Sequence, residues 1–264
     1  MSKPVICIGA AIIDDSFQCL DKPVAGTSNP AKHFRSAGGV ARNIAHNLAQ
    51  LGNNVELISH FGNDEDGKWL AGQCSSVGIG LTHSLFNNTS TGRFTAILFP
   101  SGDLNIGVSD TGLEDELTVS LLKEKASVLE TASLILFDCN LNVDCISWLL
   151  SFCKSKHIPC VIEPVSVAKA SRLSNLNLNN VLLITPNMDE LTVLSGNIES
   201  LLNKGVQNIW MRKGKDGSEV FSRNGSVSLS APNVNVADTT GAGDAALAGW
   251  IHAWLKNKKI GRAH

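Results

Sequence analysis

Leu134-Ile135-Leu136-Phe137-Asp138, Cys160-Val161-Ile162-Glu163-Pro164 and Val181-Leu182-Leu183-Ile184 are three short apolar runs, and a helix-compatible stretch from Val143 to Cys153 lies between the first two. Runs this short and this continuous suit strands buried on both faces of a sheet. Strands that alternate with helices need crossovers, right-handed as a rule, so the segment predicts an α/β fold with a mostly parallel central sheet flanked by helices. Ligands of such open sheets gather outside the carboxyl ends of the strands. Asp138, Glu163 and Asn187 stand at those ends.

Toward the N-terminus, Val5 to Ala10 reads as another buried strand, and Asp14 follows it. Asp14 is there either to bind a substrate hydroxyl or as a loop or cap aspartate. Residues 17 to 36 show no helical period and hold the turn-prone Gly26-Thr27-Ser28-Asn29-Pro30. Around 91–108 the pattern is strand, turn, strand. The two segments, at about 15–36 and 90–108, are expected to pair as a small β lid, whose free strand edges make a homodimer contact conceivable. Between them Ile44, Leu48 and Leu51 recur at helical spacing up to Gly52, and Gly38-Gly39 at the helix start admits close approach. Arg42 and Asn43 on its first turn either hold substrate oxygens or are solvated helix residues. Val55 to Phe61 reads as one strand, and Asp64-Glu65-Asp66 suits the positive end of a following helix without calling for a metal.

Toward the C-terminus, Asn187 and Glu190 stand three apart on one helix face. They would hold a hydrated magnesium and a triphosphate, or form a capping box, the better reading on these residues alone. Ile209 to Lys213 is a strand, and the turn Gly214-Lys215-Asp216-Gly217 after it is a place for nucleotide phosphates. The most informative stretch is Asn235 to Trp250, where Asp238-Thr239-Thr240-Gly241-Ala242-Gly243-Asp244 leads into the helix-forming Ala245-Ala246-Leu247-Ala248. Unpaired first-turn amides behind two glycines make an anion seat. A carboxylate at Asp244 would repel a phosphate unless its task is to take a proton from an attacking hydroxyl. A tight turn with Asp244 favoured by the helix dipole is the plainer alternative. The glycines also fit a dinucleotide fingerprint loosely, but that pattern wants an acidic residue about 20 positions on, and none follows Asp244.

With 264 residues the chain suffices for two small domains or one large α/β domain with a substantial core, and one core domain is the favoured reading. Its 43% hydrophobic and 17% charged residues and net charge of −2 describe a soluble protein without a generally basic nucleic-acid surface, so the expected partner is a small molecule. The seven cysteines form no Cys-x-x-Cys pair and read as reduced, mostly buried thiols. The chain shows neither a secretory leader nor a run of roughly 18 apolar residues, which predicts a cytoplasmic protein off the membrane. It also has no Gly-x-x-x-x-Gly-Lys-Ser/Thr, so an ordinary P-loop is excluded.

Gly38-Gly39-x-x-x-Asn43, Asn187-x-x-Glu190, Gly214-x-x-Gly217 and Asp238-Thr-Thr-Gly-Ala-Gly-Asp244, in that order, resemble the ribokinase (PfkB) family of sugar and nucleoside kinases, over Val5 to about Lys256. Ser28-Asn29-Pro30-Ala31-Lys32, the run from Gly38 to Ala45, and Glu163-Pro164-Val165-Ser166 with Lys169 are most similar to its pseudouridine kinase branch. The resemblance implies ATP-dependent phosphorylation of a nucleoside 5′-hydroxyl with Asp244 as base and the amides of Gly241, Ala242 and Gly243 stabilising the transferring phosphoryl group. Asp14, Gly38, Gly39, Arg42 and Asn43 would bind the ribose side. Asn187, Lys213, Gly214 and Gly217 would lie at the nucleotide, with Glu190 reaching Mg2+ through water. Members of the family usually run some tens of residues further, with helices that wall the adenine and complete a monovalent-cation (K+) site. The resemblance therefore also admits a truncated, non-catalytic nucleoside- or nucleotide-binding form.

Overall fold

Apolar runs alternate inward to two opposite faces throughout the main sheet, and that alternation sets its layers. In strand β1 (Val5–Ile8), Ile6 and Ile8 join one hydrophobic cluster while Val5 and Cys7 join the other. The computed structural model describes residues 3–233 and 241–256; Asp238, Thr239, Thr240 and the segment from 257 on lie outside the described residues.

After β1 come β2 (Ile12–Cys19), β3 (Ala31–Gly38), α1 (Val40–Gln50), β4 (Val55–Ile58), β5 (His60–Gly62), α2 (Glu65–Ser76), β6 (Leu85–Asn87), β7 (Arg93–Leu98) and β8 (Leu104–Asp110). Three short helices follow, α3 (Leu113–Glu116), α4 (Val119–Glu124) and α5 (Ala126–Leu129). The regular alternation then runs β9 (Leu134–Asp138), α6 (Val143–Lys156), β10 (Cys160–Glu163), α7 (Val167–Ala170), β11 (Val181–Ile184), α8 (Met188–Ser195), α9 (Ile198–Asn203) and β12 (Asn208–Arg212). The hairpin β13 (Ser218–Ser222) and β14 (Gly225–Leu229) precedes α10 (Ala242–Leu255).

The main sheet has the order β14-β13-β12-β11-β10-β9-β1-β4, parallel from β12 to β4 and antiparallel in its last two pairings. Residues of α1, α2 and α10 close one face, and residues of α4, α6, α8 and α9 close the other. The expected α/β architecture is thus the observed one. All seven cysteines are free and buried. Among the described residues no helix is long and apolar enough to cross a membrane.

A second sheet, β3-β2-β7-β8, stands apart from the first. It departs from the sequence expectation at its root, because β2 begins at Ile12, so Asp14 is a strand residue paired with Ser36 and Phe94 and not a loop aspartate. The apolar pair Ile12-Ile13 continues the inward character of β1, which hid the change of sheet. Val55 to Phe61 likewise divides at the buried Ser59, β4 joining β1 and β5 pairing with β6. An apolar run reports burial, not which partner strand buries it.

Candidate active site

The start of α10 is built to leave backbone donors open. Gly241 is its N-cap residue at φ 70, a left-handed conformation that glycine takes without a Cβ penalty, and among the described residues no side chain caps the helix. Asp244 lies in the first turn and is buried. Burial raises its carboxyl above the ordinary range, opposed by a hydrogen bond from Asn43 and by the charges of Arg212 and Arg42.

Asn43 comes from the other end of the chain. It sits on the first turn of α1, and its Nδ2 donates to Asp244 Oδ2 at 2.9 Å. Arg42 sets which way the amide faces, because its Nη2 donates to Asn43 Oδ1. The guanidinium is not a solvated helix side chain: it is buried and also donates to the carbonyls of Gly38 at 3.1 Å and Ala37 at 2.7 Å. α1 and α10 pack against each other, which brings Asn43 and Asp244 together.

The second sheet supplies the next carboxylate. Asp14 lies over Gly38 so closely that a Cβ there would overlap it, and Gly39, at φ 92, is closed in by the backbone of Ala10 and Ala11. Burial pushes the Asp14 carboxyl up to about 6, with Arg42 pulling it down and Asp244 pushing it further up. Asp14, Gly38, Gly39, Arg42, Asn43 and Asp244 are therefore one cluster.

Beneath the cluster the strand ends carry charges that local sequence reading left without roles. Asp138, fully buried, accepts from the backbone amides of Ala10 and Ala41 at 3.0 Å each and of Asn140 at 2.9 Å, tying the end of β1 to the start of α1. Glu163, beside it in register, accepts from Arg212 Nη2 at 2.7 Å and from Thr185 Oγ1. Burial pushes the Glu163 carboxyl up to about 7 in spite of Arg212. Val165 follows at φ 74, a strained conformation for a β-branched residue and of a kind that collects at functional sites. Asp138 and Glu163 were marked by the strand-end rule, whereas Arg212 carried no signal beyond ending its strand.

The remaining expected residues lie along the ends of β11 and β12. Asn187 and Glu190 form the capping box, Glu190 N to Asn187 Oδ1 and Asn187 N to Glu190 Oε2, both 2.9 Å. Glu190 is buried, its carboxyl raised by that burial and lowered by the Asn187 amide and by Arg212. Lys213 directs its Nζ to Glu219 Oε2 at 2.9 Å, and Gly214 opens a single 3-10 turn that ends at Gly217, φ 88. Among the described residues no group of three or more His, Cys, Asp or Glu side chains is arranged to hold a metal ion.

Residues 2–263 match the profile of the pfkB family carbohydrate kinases. The pseudouridine kinase of Escherichia coli (strain K12) is 30% identical over 264 residues, 95% of this chain and 83% of its own. A carbohydrate kinase from Agrobacterium tumefaciens superposes with a TM-score of 0.85 at 27% identity, over 100% of this chain and 87% of that one. The ribokinase of Arabidopsis thaliana, solved with ribose and ATP, shares the fold with a TM-score of 0.81 at 20% identity, over 100% of this chain and 89% of that one.

Proposed function

Because the chain belongs to the pfkB family of carbohydrate kinases, we propose that it transfers a phosphoryl group from ATP to the 5′-hydroxyl of a nucleoside, with pseudouridine as the substrate. The observation that carries this reading is the buried Asp244 carboxylate in the first turn of an uncapped helix, oriented by Asn43 from across the fold.

Asp244 takes the proton of the attacking hydroxyl. Burial raises its affinity for a proton and the nearby guanidinium groups keep it ionisable, the balance a base near neutral pH requires. The new bond joins the hydroxyl oxygen to phosphorus, and the bond to the leaving ADP breaks. Amides of Gly241, Ala242 and Gly243 face the charge that develops on the phosphoryl oxygens. Asp14 on β2 and Asn43 on α1 hold the ribose hydroxyls, and the second sheet closes over them as a lid. Its outer strand β8 exposes Leu104, Ile106 and Val108, the face on which this reading places a homodimer contact.

Magnesium would supply charge neutralisation between the phosphates. The capping box occupies only one oxygen of Glu190, leaving the other for a water of the ion. Asn187, Lys213, Gly214 and Gly217 line the nucleotide side.

An ADP-release assay with pseudouridine, uridine, adenosine and ribose tests the reading. Turnover with pseudouridine alone supports it; turnover with ribose or adenosine moves the substrate elsewhere in the family; ATP binding without turnover favours a non-catalytic binder. Asp244→Asn should lower kcat by about 100- to 10,000-fold, the usual worth of a positioned base, with substrate binding kept. Wild-type turnover in that variant would remove Asp244 from the mechanism.

A further inference from the structure

Arg212 ends β12, and three neighbouring parallel strands each contribute to holding it. Its Nη2 donates to Glu163 Oε1 of β10 at 2.7 Å and to the carbonyl of Thr185, just past β11, at 2.9 Å. Thr185 also donates through Oγ1 to the other oxygen of Glu163. The Glu163 side chain is closed off at 4% exposure, while the Arg212 side chain keeps 23%. One edge of the fork, Nη2, is locked.

The other edge lies against the first turn of α10. Nη1 lies against Gly243, where any Cβ would overlap it. Among the described residues the hydrogen bonds of this side chain leave through Nη2. A cation at a helix N-terminus meets the positive end of the helix dipole, and its burial is unfavourable as well. Glu163 compensates part of that cost, but a guanidinium beside open amides gains most when an anion sits between them. A glycine at 243 is what lets both sets of donors approach the same point.

We propose that Arg212 is a catalytic residue of the phosphoryl transfer, its Nη1 edge donating to an oxygen of the group in flight opposite the amides of Gly241 to Gly243, with Glu163 and Thr185 as positioning residues. In this step the hydroxyl proton goes to Asp244, the new oxygen–phosphorus bond forms, and the bond to ADP breaks. The proposal rests on the kinase reading above.

The test compares wild type, Arg212→Ala, Arg212→Lys and the double variant Glu163→Gln/Arg212→Ala, the last removing the buried carboxylate that the single alanine strands. Loss of one such donor should lower kcat by about 100- to 1,000-fold, with the nucleoside KM changed less than about threefold. Added guanidinium at millimolar concentration should restore at least about tenfold of the lost rate in the alanine variants and nothing in wild type. Binding provides a readout independent of turnover: ADP with aluminium fluoride, a mimic of the planar phosphoryl group, should bind wild type more tightly than ADP alone, and the alanine variants should lose that gain while retaining ADP. Arg212→Lys should recover only part of both losses, because it restores charge without the fork. Wild-type kcat in either alanine variant overturns the proposal. So does a slow variant that ignores guanidinium and keeps its preference for the fluoride complex, since Arg212 then acts only on the fold. A wild-type protein that phosphorylates no nucleoside or sugar overturns the kinase reading itself, and this is seen before any variant is compared.

Discussion

Replacing Glu163 with glutamine breaks the Glu163–Arg212 ion pair, yet it should make the protein progressively more stable relative to wild type as the pH rises. Burial lifts the Glu163 carboxyl to about 7 from its ordinary 4.5, outweighing Arg212 and the Thr185 hydrogen bond, and the charge of Asp244 adds to the lift. A carboxyl whose pKa is raised by folding binds its proton more tightly in the folded state. Its contribution to stability is complete below pH 4.5 and is lost as the pH rises through about 7. The separation of about 2.5 units, at about 1.4 kcal/mol per unit, makes that loss roughly 3 kcal/mol. Glutamine has no proton to lose, and the carboxylates that do not interact with position 163 cancel in the comparison. Urea unfolding followed by fluorescence of the five tryptophans, at intervals from pH 5 to pH 8.5, measures both proteins. The stability difference should move toward the variant by about 2 to 3 kcal/mol across that range. Parallel curves, or a variant that falls further behind with rising pH, would show that the attraction of Arg212 matches or exceeds the cost of burying the charge and would refute the reasoning.

Asp138→Ala should destabilise the fold by about 3 kcal/mol or more, because it leaves the buried amides of Ala10, Ala41 and Asn140 without their acceptor; an unchanged urea midpoint would sink this. Gly39→Ala combines a left-handed φ of 92 with a Cβ driven into the backbone of Ala10 and Ala11, neither of which can rotate away. It should cost more than about 1 kcal/mol and raise the nucleoside KM, since α1 must shift with Asn43 on it; melting and KM that match wild type would show that the turn relaxes freely.

How much of this was legible depended on whether a feature is local. The runs at 134–138, 160–164 and 181–184 became β9, β10 and β11 because continuous apolar strands buried on both faces announce a covered parallel sheet. The strands of the second sheet were harder, since β2 pairs inside it while its first residues keep the burial of β1. Asn187 and Glu190 were legible as a cap: their spacing makes a capping box, and the box formed.

The site was legible as motifs and not as contacts. Asn43 and Asp244 are 201 positions apart, and no spacing rule joins them until α1 and α10 pack side by side. Arg212 and Glu163, 49 apart, meet because β10, β11 and β12 are consecutive neighbours in one sheet. The local difficulty in the glycine stretch, a carboxylate where an anion is to bind, has no local resolution for the same reason. In the fold Asp244 feels Arg212 and Arg42, and Arg212 owes its place to Glu163 and Thr185. Two buried carboxylates and a guanidinium form a set in which each charge compensates another. Removing Asp244 alone would leave the cation less compensated; removing Arg212 alone would leave two buried carboxylates without the guanidinium between them. On the proposed reading the seat would receive an anion beside a base only while all three are present, and that condition lies in the topology of the sheet.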